Sequence, residues 1–168
     1  MIRRAKEEDI NGINRLLFQV QQIHAEKRSD IFRKGQKKYT DDEILRIIND
    51  DARPVFVFTD EKENILGYVF CIYQITKDSR SLSDRRVIYI DDLCVDEAFR
   101  GKHIGYELCR YVENFGKENG FDSITLNVWN LNEGAYGFYN KCGSSLDLDF
   151  KPSEYIVNEH NIPSYIQI

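Results

Sequence analysis

The chain is 168 residues long, about the length of one domain. Apolar residues make up 42% and charged residues 30%, with ten Phe and ten Tyr; this builds a packed core and excludes disordered, collagen-like and coiled-coil chains. The net charge of -5 lacks the basic excess of a nucleic-acid binder and is compatible with a cationic small-molecule partner.

The first residues, Ile2–Arg4, are expected to start an edge strand. Asp9 then reads as a helix cap, followed by Ile10, Ile13, Leu17 and Val20 at intervals of three and four, one face of a helix. A polar loop, Arg28 to Lys38, leads to Thr40 and Glu43, the two ends of a capping box. Ile44, Leu45, Ile47 and Ile48 follow, and Arg53-Pro54 is expected to stop the element. Val55–Thr59 and Ile65–Gln74 read as a hairpin around the loop Asp60–Asn64.

After the polar stretch Lys77–Arg86, Val87–Val95 is a further strand. Ile104, Leu108, Tyr111, Val112 and Phe115 mark a helix ending at Gly116 or Gly120. Ile124, Leu126 and Val128 alternate with Thr125, Asn127 and Trp129 as a strand over Ser123–Trp129. Asn132 can cap a short helix bearing Ala135, Phe138, Tyr139 and Cys142, closed by Gly143. Leu146, Leu148 and Phe150 alternate again, and Tyr155–Val157 and Tyr165–Ile168 fit edge strands.

The order β, α, α, β, β, β, α, β, α, β gives a mixed α/β (α+β) fold in a single domain, residues 1–168. Strand 87–95, helix 103–117 and strand 123–129 form a βαβ crossover and so a parallel pair in the middle of the sheet. The rest of the twisted sheet is expected to be antiparallel, with helices on both faces.

No run of 18 apolar residues and no apolar leader stretch occur, so a cytoplasmic protein without a membrane partner is expected. Cys71, Cys94, Cys109 and Cys142 are far apart in apolar segments and form no CxxC pair. They read as reduced, buried thiols, with no metal site.

The segment Arg100-Gly101-Lys102-His103-Ile104-Gly105 follows a strand and opens a helix. A helix N-terminus presents unpaired amides and a partial positive charge to a phosphate. Two glycines there serve either close ligand approach or merely a tight turn. Neither a Walker A loop nor a G-x-G-x-x-G fingerprint is present.

Three spaced motifs resemble the GNAT superfamily of acyl-CoA-dependent N-acyltransferases. Arg100 and Gly105 match its Gln/Arg-x-x-Gly-x-Gly/Ala cofactor motif, while His103 replaces the first motif glycine. Leu93-Cys94-Val95 is similar to the strand triplet whose backbone pairs with the pantetheine arm. Asn132, Ala135, Phe138, Tyr139, Lys141 and Gly143 follow the family's N-x-x-A-x-x-F/L-Y-E-K-x-G signature. Ile2, Arg3, Ala5 and Asp9 resemble its opening.

The resemblance implies a GNAT-like sheet and an acetyltransferase using acetyl-CoA and no metal. The acceptor would be a small-molecule or peptide amine, with no nucleic acid partner, and a homodimer is allowed. It implies cofactor contacts by Leu93, Cys94, Val95, Arg100, Gly101, Lys102, His103, Ile104, Gly105, Tyr106 and Asn132. Tyr139 matches the family's general acid, suited to protonate a departing thiolate. Asp91 and Asp92 point to opposite faces of their strand. Asp91 shares parity with Leu93 and Val95 and matches an acid of polyamine-acetylating relatives, so it is taken as the base.

The plainer readings stand beside these. The two aspartates are solvated or salt-bridged, Phe138 and Tyr139 are a helix's apolar face, and Asn132 is a cap. His24 is a boundary histidine or an acceptor-pocket residue. Arg33, Lys34, Lys37 and Lys38 form a solvated loop, and Trp129 and Tyr136 are packing. A non-catalytic CoA-binding sensor and a cofactor-free interaction domain are the rival functions.

Overall fold

The computed structural model describes residues 1–27, 29–30, 32–128, 133–143 and 154–157. The expected strand at 146–150, the edge strand at 165–168, and the residues Asn132 and Trp129 lie outside them. The elements are β1 (Ile2–Arg4), α1 (Ile10–Lys27), α2 (Asp41–Ile48), β2 (Val55–Thr59), β3 (Ile65–Thr76), β4 (Arg85–Val95), α3 (Ile104–Glu118), β5 (Ser123–Val128), α4 (Glu133–Gly143) and β6 (Glu154–Val157). The chain divides into two compact units, Met1–Cys71 with Asp92–Leu108, and Ile72–Asp91 with Cys109–Ile168.

In the first unit β1 pairs antiparallel with β2, from Ile2↔Phe58 to Arg4↔Phe56. β2 pairs antiparallel with β3, and the register shifts between Phe58 and Thr59. The loop between them is built by Asp60, whose carboxylate accepts from the amides of Lys62 and Asn64 at 2.9 Å each. Glu63 takes the left-handed backbone, φ 62°, that the turn requires.

Alternation sends Tyr68 and Phe70 to one face of β3 and Gly67 and Val69 to the other. The first face meets α1 and α2 in a core of Ile13, Leu16, Leu17, Ile44, Ile47, Val55, Val57, Tyr68, Phe70 and Cys94. On the second face a Cβ at Gly67 would meet Ile104 and Leu108 of α3. Helices therefore cover both faces of this unit's sheet, as expected.

The capping box at α2 forms as read: Thr40 Oγ1 accepts from the Glu43 amide (3.3 Å), and the Thr40 amide donates to Glu43 Oε2 (2.7 Å). Two boundaries differ from expectation. The chain is already in a 3-10 turn at Glu7–Asp9 before α1. Asp9 therefore reaches back, accepting from the Lys6 amide at 2.9 Å and from Arg3 at 2.6 and 2.9 Å, instead of capping forward. And α2 stops at Ile48, ahead of Pro54, because the Asn49 side chain turns back onto the Leu45 carbonyl (3.0 Å).

In the second unit the strand order is β3-β4-β5-β6. The eight-residue connection between β3 and β4 suits only antiparallel neighbours. β4 and β5 are parallel, from Val87↔Ser123 to Ile90↔Leu126, joined through α3. The fold is thus mixed α/β, mostly antiparallel, with the expected parallel pair. β5 and β6 are parallel too, from Thr125↔Glu154 to Val128↔Val157. The expectation that all remaining pairs are antiparallel fails here, because β6 is reached through a second helical crossover, α4.

Of the two stops read for α3, Gly120 is the real one. It takes φ 68° while the Phe121 amide returns to the Gly116 carbonyl (2.9 Å) and its own amide to Lys117 (3.3 Å). Within this unit Tyr73 stacks on Phe115, centroids 6.4 Å apart, and meets Phe121 at a tilt, centroids 4.6 Å apart. No helix among the described residues is long and apolar enough to cross a membrane.

Candidate functional site

The turn between β4 and α3 is held from three sides. Where β4 ends, the Asp96 amide donates to the Leu66 carbonyl at 2.9 Å. The Asp96 carboxylate is buried, accepts from the Ala98 amide (3.0 Å) and pairs with Arg15 of α1. Arg15 also donates to the Ile65 carbonyl at 2.8 Å. Burial alone would raise the Asp96 carboxyl, but the Arg15 and Ala98 hydrogen bonds outweigh it and hold it below the ordinary carboxylate range.

From the same helix the Gln19 side chain, oriented by its donors, accepts from the Glu97 amide (2.8 Å) and from Arg100 (3.3 Å). Arg100 Nε donates to the Val95 carbonyl at 3.2 Å. Arg100 and Val95, both read from sequence as cofactor contacts, are thus bonded to each other.

The turn itself changes hand twice. Gly101 has φ 78° and His103 has φ 62°, and both are exposed. Glycine adopts this region without cost; histidine is among the few other residues that enter it at all often. The family motif has glycine where His103 stands, and here a residue with a side chain occupies the left-handed backbone. The His103 carbonyl then accepts the first bond of α3, from the Glu107 amide at 2.9 Å. Helix geometry leaves the amides of the first turn, Ile104 and Gly105 among them, without an intrahelical acceptor. A Cβ at Gly101 would find nothing within 4 Å, so this backbone is open to a ligand.

The side chains around the turn divide by role. Ile104 is buried and anchors α3; a Cβ at Gly67 would lie 3.2 Å from it and 3.1 Å from the Cys94 carbonyl. Lys102 lies over the Phe99 ring, 4.7 Å from its centroid. Gly105 and Tyr106 are half-buried, as are Leu93 and Val95.

Cys94 is buried against α1, its Sγ 3.8 Å from the Leu16 carbonyl. Burial first, and then the charge of Asp92, push its thiol up to about 12. All four cysteines are buried and unbridged. Among the described residues no group of three or more His, Cys, Asp or Glu is placed to hold a metal.

The first unit therefore brings together Leu93–Val95 and Arg100–Tyr106. Asp91 on β4 and Tyr139 on α4 belong to the second unit. Both are half-buried, and Tyr139 packs edge-on against Phe138 with centroids 5.1 Å apart. His24 is half-buried against Phe32, centroids 5.2 Å apart. The basic loop is not uniformly solvated: Lys37 donates to Asn14 (2.7 Å) and pairs with Asp41, and Lys38 lies over Tyr39.

Sequence reasoning passed over Tyr68, whose fully buried hydroxyl donates to Asp92 Oδ2 at 3.1 Å. The signal was available. Asp92 shares parity with Ile88, Ile90 and Cys94, and an acid in a buried stripe demands a partner.

The chain belongs to the acetyltransferase (GNAT) family, whose model matches residues 17–144. Among solved structures it is similar to a tetramutant of the BH1408 protein from Bacillus halodurans, 30% identical, with a TM-score of 0.83, covering 96% of this chain and 99% of that one. It shares its fold with glucosamine-6-phosphate N-acetyltransferase from Arabidopsis thaliana (24% identity, TM-score 0.62, covering 88% and 92%). The same holds for an aminoglycoside acetyltransferase from an uncultured soil metagenomic sample (21% identity, TM-score 0.66, covering 96% and 95%). No curated protein matches the chain in sequence.

Proposed function

We propose that the protein moves an acetyl group from acetyl-CoA directly to a primary amine of a small molecule or peptide in the cytoplasm. The observation that carries this reading is the turn Arg100–His103. Two left-handed residues there, Gly101 with an open backbone and His103, lead into the first turn of α3, whose amides have no intrahelical acceptor. Such a helix start suits a diphosphate, so the residues fit the CoA nucleotide. Leu93–Val95 would hold the pantetheine arm, and Asn132 would join them. When bound, the cosubstrate supplies a thioester carbonyl.

The chain's own residues then have three tasks. An alkyl ammonium titrates near 10.4, so at pH 7 only about one molecule in 2,500 is neutral. A carboxylate at the end of β4 takes that proton; strand parity in the sequence names Asp91, and Asp92 beside it is the alternative. Tyr139 gives a proton to the departing thiolate, which titrates near 8.5. Holding amine and carbonyl in line contributes the largest share, about 7–11 kcal/mol of barrier. The Cys94 thiol, pushed up to about 12, is protonated at neutral pH and unsuited to carry the acyl group. That argues against Cys94 as an acyl carrier.

A second reading, a domain that holds CoA without catalysis, is favoured by His103 at the motif's glycine position. A mass-spectrometric screen of amines with acetyl-CoA, scored for acetylated product and free thiol, separates the two. CoA binding without any product from any amine would leave the sensor.

A further inference from the structure

The two neighbouring carboxylates at the end of β4 are not equivalent. Asp92 accepts a hydrogen bond from Tyr68, a residue with no solvent exposure, at 3.1 Å. Tyr68 is itself fixed, packed edge-on against Phe70 with centroids 5.1 Å apart, and Phe70 stacks on Tyr39 at 5.7 Å. A buried phenol with one rotamer holds its acceptor in one place. A neutral donor of this kind orients a carboxylate without cancelling its charge.

Burial first, and next the charge of Asp92, raise the Tyr68 hydroxyl well above its ordinary value and push the Cys94 thiol the same way. The negative charge at Asp92 is therefore felt in surroundings where water screens poorly. Asp92 is nonetheless half-exposed, so a ligand can reach it. It also belongs to the same unit as Leu93–Val95 and the Arg100–His103 turn, and is the residue next to that triplet.

Resting on the transferase reading above, we propose that Asp92 receives the acceptor amine and that the buried Tyr68 hydroxyl is its positioning residue. The acceptor arrives as a cation. Its ammonium donates to the Asp92 carboxylate, and the proton crosses to the carboxylate as the amine becomes neutral; water later takes it from the carboxyl.

The test compares steady-state kinetics of the full chain, wild type against Asp92→Asn and Tyr68→Phe, with an amine that the wild type acetylates. Tyr68→Phe keeps the ring and its packing. It should lower kcat/KM for the amine about tenfold or more while KM for acetyl-CoA stays within twofold. Asp92→Asn should lower the amine kcat/KM at least about a hundredfold, again with acetyl-CoA KM retained. A purely structural pair would move both substrates together, or only the melting temperature, and either result overturns the proposal. An Asp92→Asn enzyme with unchanged amine kcat/KM overturns it too and leaves Asp91 as the carboxylate. If the wild type acetylates no amine, the transferase reading fails and this one falls with it; if the wild type is active and the variants match it, only this one falls.

Discussion

Gly67→Ala tests the link between the packing of the sheet and the start of α3. A methyl there would lie 3.1 Å from the Cys94 carbonyl oxygen and 3.2 Å from both Ile104 Cγ2 and Leu108 Cδ1. Carbon contacts are comfortable at about 3.5–4.0 Å, so three neighbours must each give by a few tenths of an ångström. Two of them resist: the carbonyl is strand backbone, and Ile104 is branched and buried. Overpacking of this kind costs about 1–3 kcal/mol. Against it, alanine reduces the freedom of the unfolded chain and returns about 0.4–1 kcal/mol. The net loss is about 0–2.6 kcal/mol, up to several degrees in melting temperature for a chain of this size. The displaced neighbour is Ile104, the first residue of α3, so the amides proposed to meet the cofactor would shift with it. Thermal unfolding with and without CoA reads both effects. For the wild type, CoA at a hundred times Kd should stabilise by about 2.7 kcal/mol; for Gly67→Ala, at the same concentration, by clearly less. Gly101→Ala is the comparison, since nothing lies within 4 Å and only the left-handed φ of 78° opposes it, at about 1–2 kcal/mol. A Gly67→Ala protein as stable as the wild type and equally stabilised by CoA would show that close approach of β3 does not set the position of α3.

Tyr139→Phe should lower kcat by roughly 10²–10⁴ with an unchanged melting temperature; an unchanged kcat would remove Tyr139 from the proton-donor role. Gly12→Ala, although alanine favours helices by about 1 kcal/mol, should lower stability in urea by about 1–3 kcal/mol, because its methyl would lie 2.5 Å from Ile65 Cγ1 and 2.8 Å from Ile65 Cβ. His103→Gly should leave the melting temperature equal or raise it by a few degrees, since the relief of left-handed strain offsets the added freedom of the unfolded glycine; a lower melting temperature would mean that the imidazole holds the turn. Asp9 and Asp96 both titrate below the ordinary carboxylate value in the folded protein, where burial is outweighed by Arg3 and Arg15 respectively. Their contribution is complete above about pH 4, where the unfolded chain's carboxylates ionise, and is lost as pH falls through the lowered folded values. Arg15→Gln should therefore cost about 1–2 kcal/mol near neutrality, and the gap to wild type should close under acid in urea titrations across pH; a gap that persists there would assign the effect to packing.

The sequence made the fold legible wherever local rules and burial agree. The Thr40–Glu43 box, a glycine stop at Gly116 or Gly120 and the alternation of Ile124, Leu126 and Val128 each follow from one residue type in one local setting. The direction of β6 did not follow, because direction depends on a crossover whose path is set by tertiary packing and not by the four residues of the strand. Asp9 was read as a forward cap because its type is right. Its true partner, Arg3, comes from a strand six residues earlier, and the 3-10 turn that moves Asp9 inward has no sequence mark. At the site, the motif residues were found by resemblance, yet the groups that brace them were not. Arg15 lies 81 residues before Asp96, Gln19 78 before Glu97 and Gly67 27 before Cys94, and no spacing rule reaches that far.

This bracing changes what the motif means physically. Arg100 invites a reading as fixed positive charge for a phosphate, but its Nε is spent on the Val95 carbonyl and it also faces Gln19. Ile104 is a buried anchor, and Lys102 lies on Phe99. Gly101 and His103 contribute a backbone conformation. Of the six residues from Arg100 to Gly105, most are therefore occupied in shaping a turn. If the ligand is gripped there, it is gripped mainly by main-chain amides, which a side-chain change at position 103 leaves in place so long as φ stays positive. On this argument histidine is tolerated at position 103 because it is one of the residues that reach the left-handed region, and His103→Asn should keep CoA affinity for the same reason. His103→Val or His103→Ile should lose it, since a β-branched residue is the worst occupant of that backbone. Calorimetric titration with CoA orders the four proteins, and equal affinity for valine and asparagine would mean that the backbone hand at residue 103 does not govern binding.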